Sequence, residues 1–180
     1  DKDISKDIAL LKSQAERCKE ILQKFTKNPL KLKDKFLEKV KLTDLIKINF
    51  DKFNKGKKLN LIFESNKDEP EIVFKDEIMY SLGNIIQNAV FYSYNTVTVK
   101  LCYYKKNLKI VVSDDGPGFS KDIIDRLGEP YISKNNQGMG LGIFISKNLI
   151  ENMGGNLKLY NSKVNNAVVE IKFDNSILNI

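Results

Sequence analysis

The chain has 180 residues, of which 42% are hydrophobic, so it is long enough and apolar enough to bury a core. It carries a net charge of +7 and contains no histidine, which excludes any histidine base, nucleophile or metal ligand within these residues. The two cysteines, Cys18 and Cys102, lie far apart and fit neither a disulfide framework nor a zinc site.

The positive charge comes mainly from lysines scattered along the chain, with one local concentration over residues 27–41. Scattered lysines are typical of a solvated surface, so we predict no nucleic-acid partner. The first ten residues are too charged for a signal peptide, and no apolar run reaches the ~18 residues that a membrane span needs. We therefore expect these residues to lie in the cytoplasm.

Residues 4–25 have apolar side chains at alternating spacings of four and three, which predicts one long bundle helix. Asn28 and Pro29 end this helix. Because a single helix cannot bury its own apolar seam, we predict that residues 1–28 are the C-terminal helix of a helical hairpin. Residues 29–41, which are rich in lysine, are predicted to be a linker.

The remaining residues, 42–180, predict a second domain of alternating helices and strands. Thr43 and Asp44 are predicted to cap a helix that runs to Phe53, and Asp76 to cap one that runs to Tyr92. The other predicted helices cover 121–127 and 140–153, and the predicted strands cover 59–63, 71–74, 96–104, 108–113, 156–160 and 167–173. This order indicates an α/β (α+β) two-layer sandwich, with a mixed, mostly antiparallel sheet covered on one face by three helices.

Two glycine clusters are the strongest local signal for function. Asp115 precedes Gly116 and Gly118, and a second cluster, Gly138–Gly142, opens onto an apolar run typical of a helix. Glycine lets backbone N–H groups approach a ligand closely, and a helix N-terminus stabilises an anion. The pattern favours a phosphate site over ordinary turn glycines, and the polar segment 119–137 between the clusters is typical of a mobile lid.

Asn84, Asn88 and Tyr92 are spaced four residues apart and share one face of the predicted helix 76–92. Asparagine is a poor helix former because its amide competes for backbone groups. Two such residues beside an apolar stripe indicate a polar task, such as holding a hydrated cation, although solvent-exposed asparagines would show the same pattern.

Taken together, these motifs resemble the catalytic and ATP-binding domain of sensor histidine kinases, within the Bergerat-fold ATPases. Asn84–Ala89 is similar to the N box, Asp115–Gly118 to the G1 box and Gly138–Gly142 to the G2 box of that family. Within the family the chain resembles the redox-responding RegB/PrrB type. Residues 7–22 are similar to the second dimerisation helix of that group, and residues 127–133 to its lid.

The resemblance implies a Mg²⁺·ATP site. It implies that Asn88 ligates Mg²⁺, that Asn84 supports the metal and phosphates, and that Lys134 reaches the phosphates from the lid. It implies that Asp115 accepts a hydrogen bond from the adenine amino group and that Tyr92 packs on adenine. The remaining residues that it implies as ATP-binding are Gly116, Gly118, Gly138, Met139, Gly140, Leu141 and Gly142.

The implied activity is transfer of the γ-phosphoryl group of ATP to a histidine outside this chain, for relay to an aspartate of a response regulator. The acceptor helix would lie upstream in the full-length protein, which would form a homodimer and could carry an anchor in the inner membrane. Two alternatives stay open. One is a hydrolysing Bergerat-fold ATPase, in which a glutamate would stand in place of Asn84, and the other is a nucleotide-binding dimerisation or switch module.

Two positions depart from the family pattern or add to it. Phe91 stands where sensor kinases commonly carry a basic residue before the tyrosine, so the resemblance does not supply this phosphate contact and leaves more of that role to Lys134. In the RegB/PrrB group, the cysteine that matches Cys18 is implicated in redox control through a disulfide between subunits. A small residue buried in the helix seam is the alternative interpretation of Cys18.

Overall fold

The computed structural model describes residues 39–65, 68–104, 107–126, 141–164 and 166–178. The predictions for helix 1–28, for most of the linker and for the greater part of the lid fall outside these ranges. Across the ranges described, no helix is both long enough and apolar enough to cross a membrane.

Four helices and seven strands follow one another in the described part of the chain. The helices are α1 (Leu42–Phe53), α2 (Asp76–Tyr92), α3 (Lys121–Asp125) and α4 (Leu141–Asn152). The strands are β1 (Lys39–Val40), β2 (Lys58–Glu64), β3 (Ile72–Val73), β4 (Thr96–Tyr103), β5 (Asn107–Asp114), β6 (Asn156–Asn161) and β7 (Ala167–Asp174), and a 3₁₀ turn covers Asn175–Leu178.

Five of these strands form one mixed sheet, in the order β2-β4-β5-β7-β6. Strands β2 and β4 pair in parallel, whereas the other three pairs are antiparallel. The predicted mixed, mostly antiparallel sheet is therefore confirmed, and α1, α2 and α4 supply the helical layer.

The core lies between the sheet and the helices. Strand β5 shows why: its side chains alternate between buried and half-buried along the strand, with Leu108, Ile110, Val112 and Asp114 buried. Such alternation places one set of side chains on the helix-covered face. From the helical layer, α2 contributes Ile78, Leu82, Ile85 and Ile86 to the same core.

The opposite face of the sheet carries charged side chains that form ion pairs between neighbouring strands and along β7. Lys100 lies 2.6 Å from Glu64 between β4 and β2, and Lys109 and Lys172 both approach Glu170 on β7. Exposed ion pairs of this kind contribute little to stability. The charged pairs therefore mark the face of the sheet that lies opposite the helical layer.

The predicted helix caps were wrong in detail. Lys41 is the N-cap of α1 and Lys75 that of α2, and neither donates or accepts a side-chain capping bond. Instead, Glu69, from the loop before β3, accepts the Thr43 N–H (2.9 Å) and the Thr43 hydroxyl (2.6 Å). A distant carboxylate thus satisfies an N–H group that the first turn of α1 leaves open.

A second difference concerns the segment predicted as a linker. Its last residues form β1, which pairs antiparallel with β3 through Lys39↔Val73 and Val40↔Ile72. Ile72 is fully buried, and Val40 packs on the same core. Two residues are too few to give an alternation pattern, which is why the sequence does not reveal this strand.

The Glu69 cap gives a test of the fold. Replacing Glu69 by Ala removes both hydrogen bonds to Thr43 and should lower the free energy of unfolding by roughly 1–2 kcal/mol, the usual cost of a lost cap. Urea unfolding followed by circular dichroism measures this change. Glu71→Ala, which removes an exposed carboxylate close by, is the matched control. Equal stabilities of the two variants would show that the cap contributes nothing.

Candidate functional site

Helices α2 and α4 pack side by side and bring the predicted asparagines to the first turn of α4. A Cβ atom placed on Gly142 would stand 3.8 Å from Cβ and Cγ of Asn84 and 3.8 Å from Nδ2 of Asn88. Asn84 is buried and Asn88 is half-buried. The structure therefore joins two motifs that lie more than fifty residues apart, and glycine keeps the space between them open.

A buried serine on α4 fixes one of these amides. Ser146 is fully buried, and its hydroxyl donates to the carbonyl of Gly142 (2.8 Å) and lies 3.4 Å from the carbonyl of Ser81. The Asn84 Nδ2 group donates to the same hydroxyl at 3.4 Å. Since the amide nitrogen faces Ser146, the amide orientation of Asn84 is set by contacts between the two helices.

The two adjacent aspartates at the end of β5 have different surroundings. Asp114 is the last residue of the strand and is 7% exposed, and its Oδ1 accepts the N–H of Gly116 at 2.9 Å. Asp115 points the other way. Both of its carboxylate oxygens accept backbone N–H groups from residues 94–96.

The two carboxyls consequently differ in acidity. Burial raises the pKa of Asp114 to about 6, and the neighbouring charge of Asp115 adds to this, although the Gly116 N–H opposes it. Within the described ranges, the Gly116 N–H is the one hydrogen-bond donor to its carboxylate. The second oxygen of Asp114 thus has no donor among the described residues, whereas both oxygens of Asp115 already have donors.

The C-terminal end of α2 lies directly against the turn after β5. A Cβ atom on Gly116 would collide with the carbonyl oxygen of Tyr92 and stand 2.8 Å from Asp114 Oδ1. Only glycine allows this approach. Tyr92 is 42% exposed, and its ring packs edge to face on Phe91, with ring centroids 4.9 Å apart. Gly118, two residues on, adopts the left-handed conformation with φ 78°.

The donor set suits a hard cation that is shared with phosphates. The described residues contain no cluster of three histidine, cysteine or carboxylate groups that could hold a metal on its own. Amide oxygens are ligands that Mg²⁺ accepts when phosphates and water complete its shell. The paired amides beside the open first turn of α4 therefore fit Mg²⁺ together with a phosphate group.

The predicted site residues are thus partly assembled. Asn84, Asn88 and Gly142 lie together, Gly116 lies against Tyr92, and Leu141 begins α4. Five predicted residues fall outside the described ranges: Cys18, Lys134, Gly138, Met139 and Gly140.

Two residues of this region were missed from the sequence, Asp114 and Ser146. Asp114 continues the buried alternation of β5, so strand periodicity could have identified it. Ser146 follows the apolar run 141–145 and is followed by Lys147 and Asn148, so the sequence does not distinguish it from a surface residue.

Comparisons with known proteins agree with this geometry. Residues 75–177 match the model of the family described as histidine kinase-, DNA gyrase B- and HSP90-like ATPases. The chain is 29% identical over 174 residues to the sensor histidine kinase RegB of Cereibacter sphaeroides, covering 87% of this chain and 37% of the relative. It therefore spans little more than a third of that protein's length.

Solved structures show the same fold. A mycobacterial sensor histidine kinase, MprB, superimposes with a TM-score of 0.65 at 18% identity, over 77% of this chain and 97% of that one. Full-length ShkA in complex with AMPPNP gives a TM-score of 0.62 at 21% identity, over 76% of this chain and 31% of that one. With the family model matching more than half of its residues, the chain belongs to the family of histidine kinase-, DNA gyrase B- and HSP90-like ATPases.

Proposed function

We propose that this chain is the ATP-binding catalytic part of a two-component sensor histidine kinase. It would transfer the γ-phosphoryl group of ATP to a histidine outside these residues, for relay to a response-regulator aspartate. The observation that carries the proposal is the placing of Asn84 and Asn88 against Gly142 at the first turn of α4. The similarity to RegB and the AMPPNP bound to a structural relative support it.

In this proposal, Asn88 and Asn84 hold Mg²⁺ and the phosphates from α2, while the first turn of α4 faces the phosphates. Bound Mg²⁺ would supply charge neutralisation at the phosphoryl oxygens. The contribution of the chain is positioning: Ser146 orients the Asn84 amide, and Gly142 leaves the anion room beside the N–H groups. The roles of Lys134, Gly138, Met139 and Gly140 at the phosphates are part of the proposal and rest on the sequence.

At the part of the site that would hold adenine, we propose that Asp114, and not Asp115, accepts the hydrogen bond from the adenine amino group. Asp114 is buried, and one of its oxygens has no donor among the described residues, whereas backbone N–H groups occupy both oxygens of Asp115. A buried acceptor selects a base that presents an amino group, because a mismatched base would leave it unpaired. The partly exposed ring of Tyr92 would pack on the base.

The proposal extends to the whole protein. It includes a homodimer, an upstream helix with the acceptor histidine, a response regulator as partner and a cytoplasmic location for the catalytic part. Redox control through Cys18 also belongs to it. Cys102 is the less suitable candidate for that role because it is buried in β4.

The amide pair gives the first test of function. Replacing Asn88 by Ala removes the proposed Mg²⁺ ligand and should weaken Mg·ATP binding by roughly 10–100-fold or abolish it. Isothermal titration of the 180-residue chain measures the affinity, which we expect in the micromolar range. Asn60→Ala, an exposed amide on β2, is the control and should bind normally. Unchanged affinity in the Asn88 variant would exclude the site.

The raised pKa of Asp114 gives a second test, in which stability and binding change in opposite directions. A carboxyl with a folded pKa of about 6 and an unfolded value of 3.8 binds protons more tightly when folded. Its contribution to stability is therefore lost as pH rises from about 4 to 6. Asp114→Asn should therefore raise the midpoint of thermal unfolding by a few degrees at pH 7.5 and change it little at pH 4. In a domain of this size, each kcal/mol of stability shifts the midpoint by roughly 2–4 °C.

The same variant should bind ATP at least about tenfold more weakly, because an amide nitrogen faces the adenine amino group in place of an acceptor. Asp51→Asn, an exposed aspartate of α1, is the control for the lost charge. A variant that is destabilised at pH 7.5, or that keeps full affinity for ATP, would contradict the assignment.

Transfer and hydrolysis can be separated with γ-labelled ATP. The chain alone should bind ATP. Because its sequence contains no histidine, it should take up no acid-labile label. It should also release phosphate no faster than ATP does in buffer without protein. Continuous phosphate release would favour the hydrolysing alternative. Failure to bind ATP at all would favour a vestigial switch module.

A further inference from the structure

Residues 93–96 comprise the connection between α2 and β4 and the first residue of β4, and protein groups satisfy all of their backbone hydrogen bonds. The Ser93 N–H donates to the carbonyl of Ala89 (2.9 Å), the Asn95 carbonyl accepts the Lys58 N–H (2.8 Å) and the Thr96 carbonyl accepts the Asp115 N–H (3.2 Å). These bonds satisfy three of the eight backbone polar groups of the segment.

Two side chains satisfy the other five. Lys57 Nζ donates to the carbonyls of Ser93 (2.9 Å) and Tyr94. The Asp115 carboxylate accepts the N–H groups of Tyr94 (2.8 Å), Asn95 (3.0 Å) and Thr96 (3.1 Å). The two side chains therefore bind opposite polarities of the same short segment.

Such complete satisfaction is unusual for a segment that faces water. Tyr94 is 63% exposed, and Asn95 is also exposed, so water could have served these backbone groups. Partial burial raises the pKa of Asp115, but the N–H groups of Asn95, Thr96 and Tyr94 outweigh this effect and lower the pKa below its usual range. The carboxylate is thus the form that the segment stabilises.

The segment is also connected to the residues of the proposed adenine site, Tyr92 and Asp114. It begins directly after Tyr92, whose carbonyl oxygen lies against Gly116, next to the Asp114 carboxylate. Asp115 links the turn after β5 to the segment through its N–H as well as through its side chain. Movement of residues 93–96 would therefore change the distance between the end of α2 and Asp114.

We propose that Lys57 and Asp115 form a clamp on residues 93–96 that positions Tyr92 against Asp114 and thereby sets the selectivity of the site for adenine. Both are positioning residues, since neither needs to touch the nucleotide. The inference rests on the proposed function, because it assumes a purine nucleotide between Tyr92 and Asp114.

The test compares Mg·ATP with Mg·GTP, which share the phosphates and ribose and differ in the base. Asp115→Ala removes the acceptor of three N–H groups and should weaken ATP binding about tenfold while changing GTP binding less than about twofold. Lys57→Met should act in the same direction, and Lys57→Arg should restore the preference because it keeps a cationic donor. Lys55→Met, an exposed lysine in the same turn region, is the control for lost charge.

Thermal unfolding of each variant shows whether the chain is still folded, and the lysine variants carry the test if Asp115→Ala does not fold. Since the two residues act on one segment, the double variant should lose less than the sum of the two single losses. Equal weakening of ATP and GTP, or an unchanged preference in folded variants, would overturn the clamp alone. A wild-type chain that binds neither nucleotide would instead overturn the proposed function.

Discussion

The contact between α2 and α4 is the constraint on which the candidate site depends. Asn84 and Asn88 lie on one helix and Gly142 on the other, so the two motifs meet only because the helices pack together. The buried hydroxyl of Ser146 connects the two helices, since it lies within hydrogen-bonding distance of the Asn84 amide and of the Gly142 carbonyl. Because a buried polar group is costly without partners, this small network specifies one arrangement of the helices.

The sheet contributes to the candidate site through the C-terminal end of its central strand, β5. Strand β5 carries Asp114 to the end of the buried face, and the turn that follows brings Gly116 under the C-terminal end of α2. Two adjacent aspartates then have different surroundings: in the described part of the chain one oxygen of Asp114 has no donor, whereas Asp115 accepts the backbone N–H groups of residues 94–96. Successive side chains along a strand point to opposite faces of the sheet, so these two neighbouring carboxylates have different hydrogen-bond partners.

Local periodicity was enough to predict most of the fold. The apolar stripe of α2 predicts a helix that ends at Tyr92, as observed, and that starts one residue late, because Asp76 is its first residue and Lys75 its cap. The six predicted strands differ from the observed ones by at most one residue at each end. Contacts between residues far apart in the sequence left no periodic pattern from which they could be predicted. The Glu69 cap joins residues 26 positions apart, and the two-residue strand β1 is too short for a pattern.

Local periodicity also predicts part of the candidate site. Spacing by four identified Asn84 and Asn88, because one helix sets their relation. The assignment of the base acceptor to Asp115 followed its place before the glycines, although the alternation of β5 distinguishes the buried Asp114. The clamp by Lys57 could not be predicted, since it depends on where β2 begins relative to the end of α2.

The nucleotide site between α2, α4 and the end of β5 is tested most directly by an amide NMR titration of the 180-residue chain with Mg·ADP. We expect the largest shifts at Asn88, Gly116 and Gly142, side-chain amide shifts at Asn84, and no change at residues of the outer sheet face such as Lys109 and Lys172. Shifts concentrated on the outer face, or no shifts at saturating nucleotide, would contradict this site.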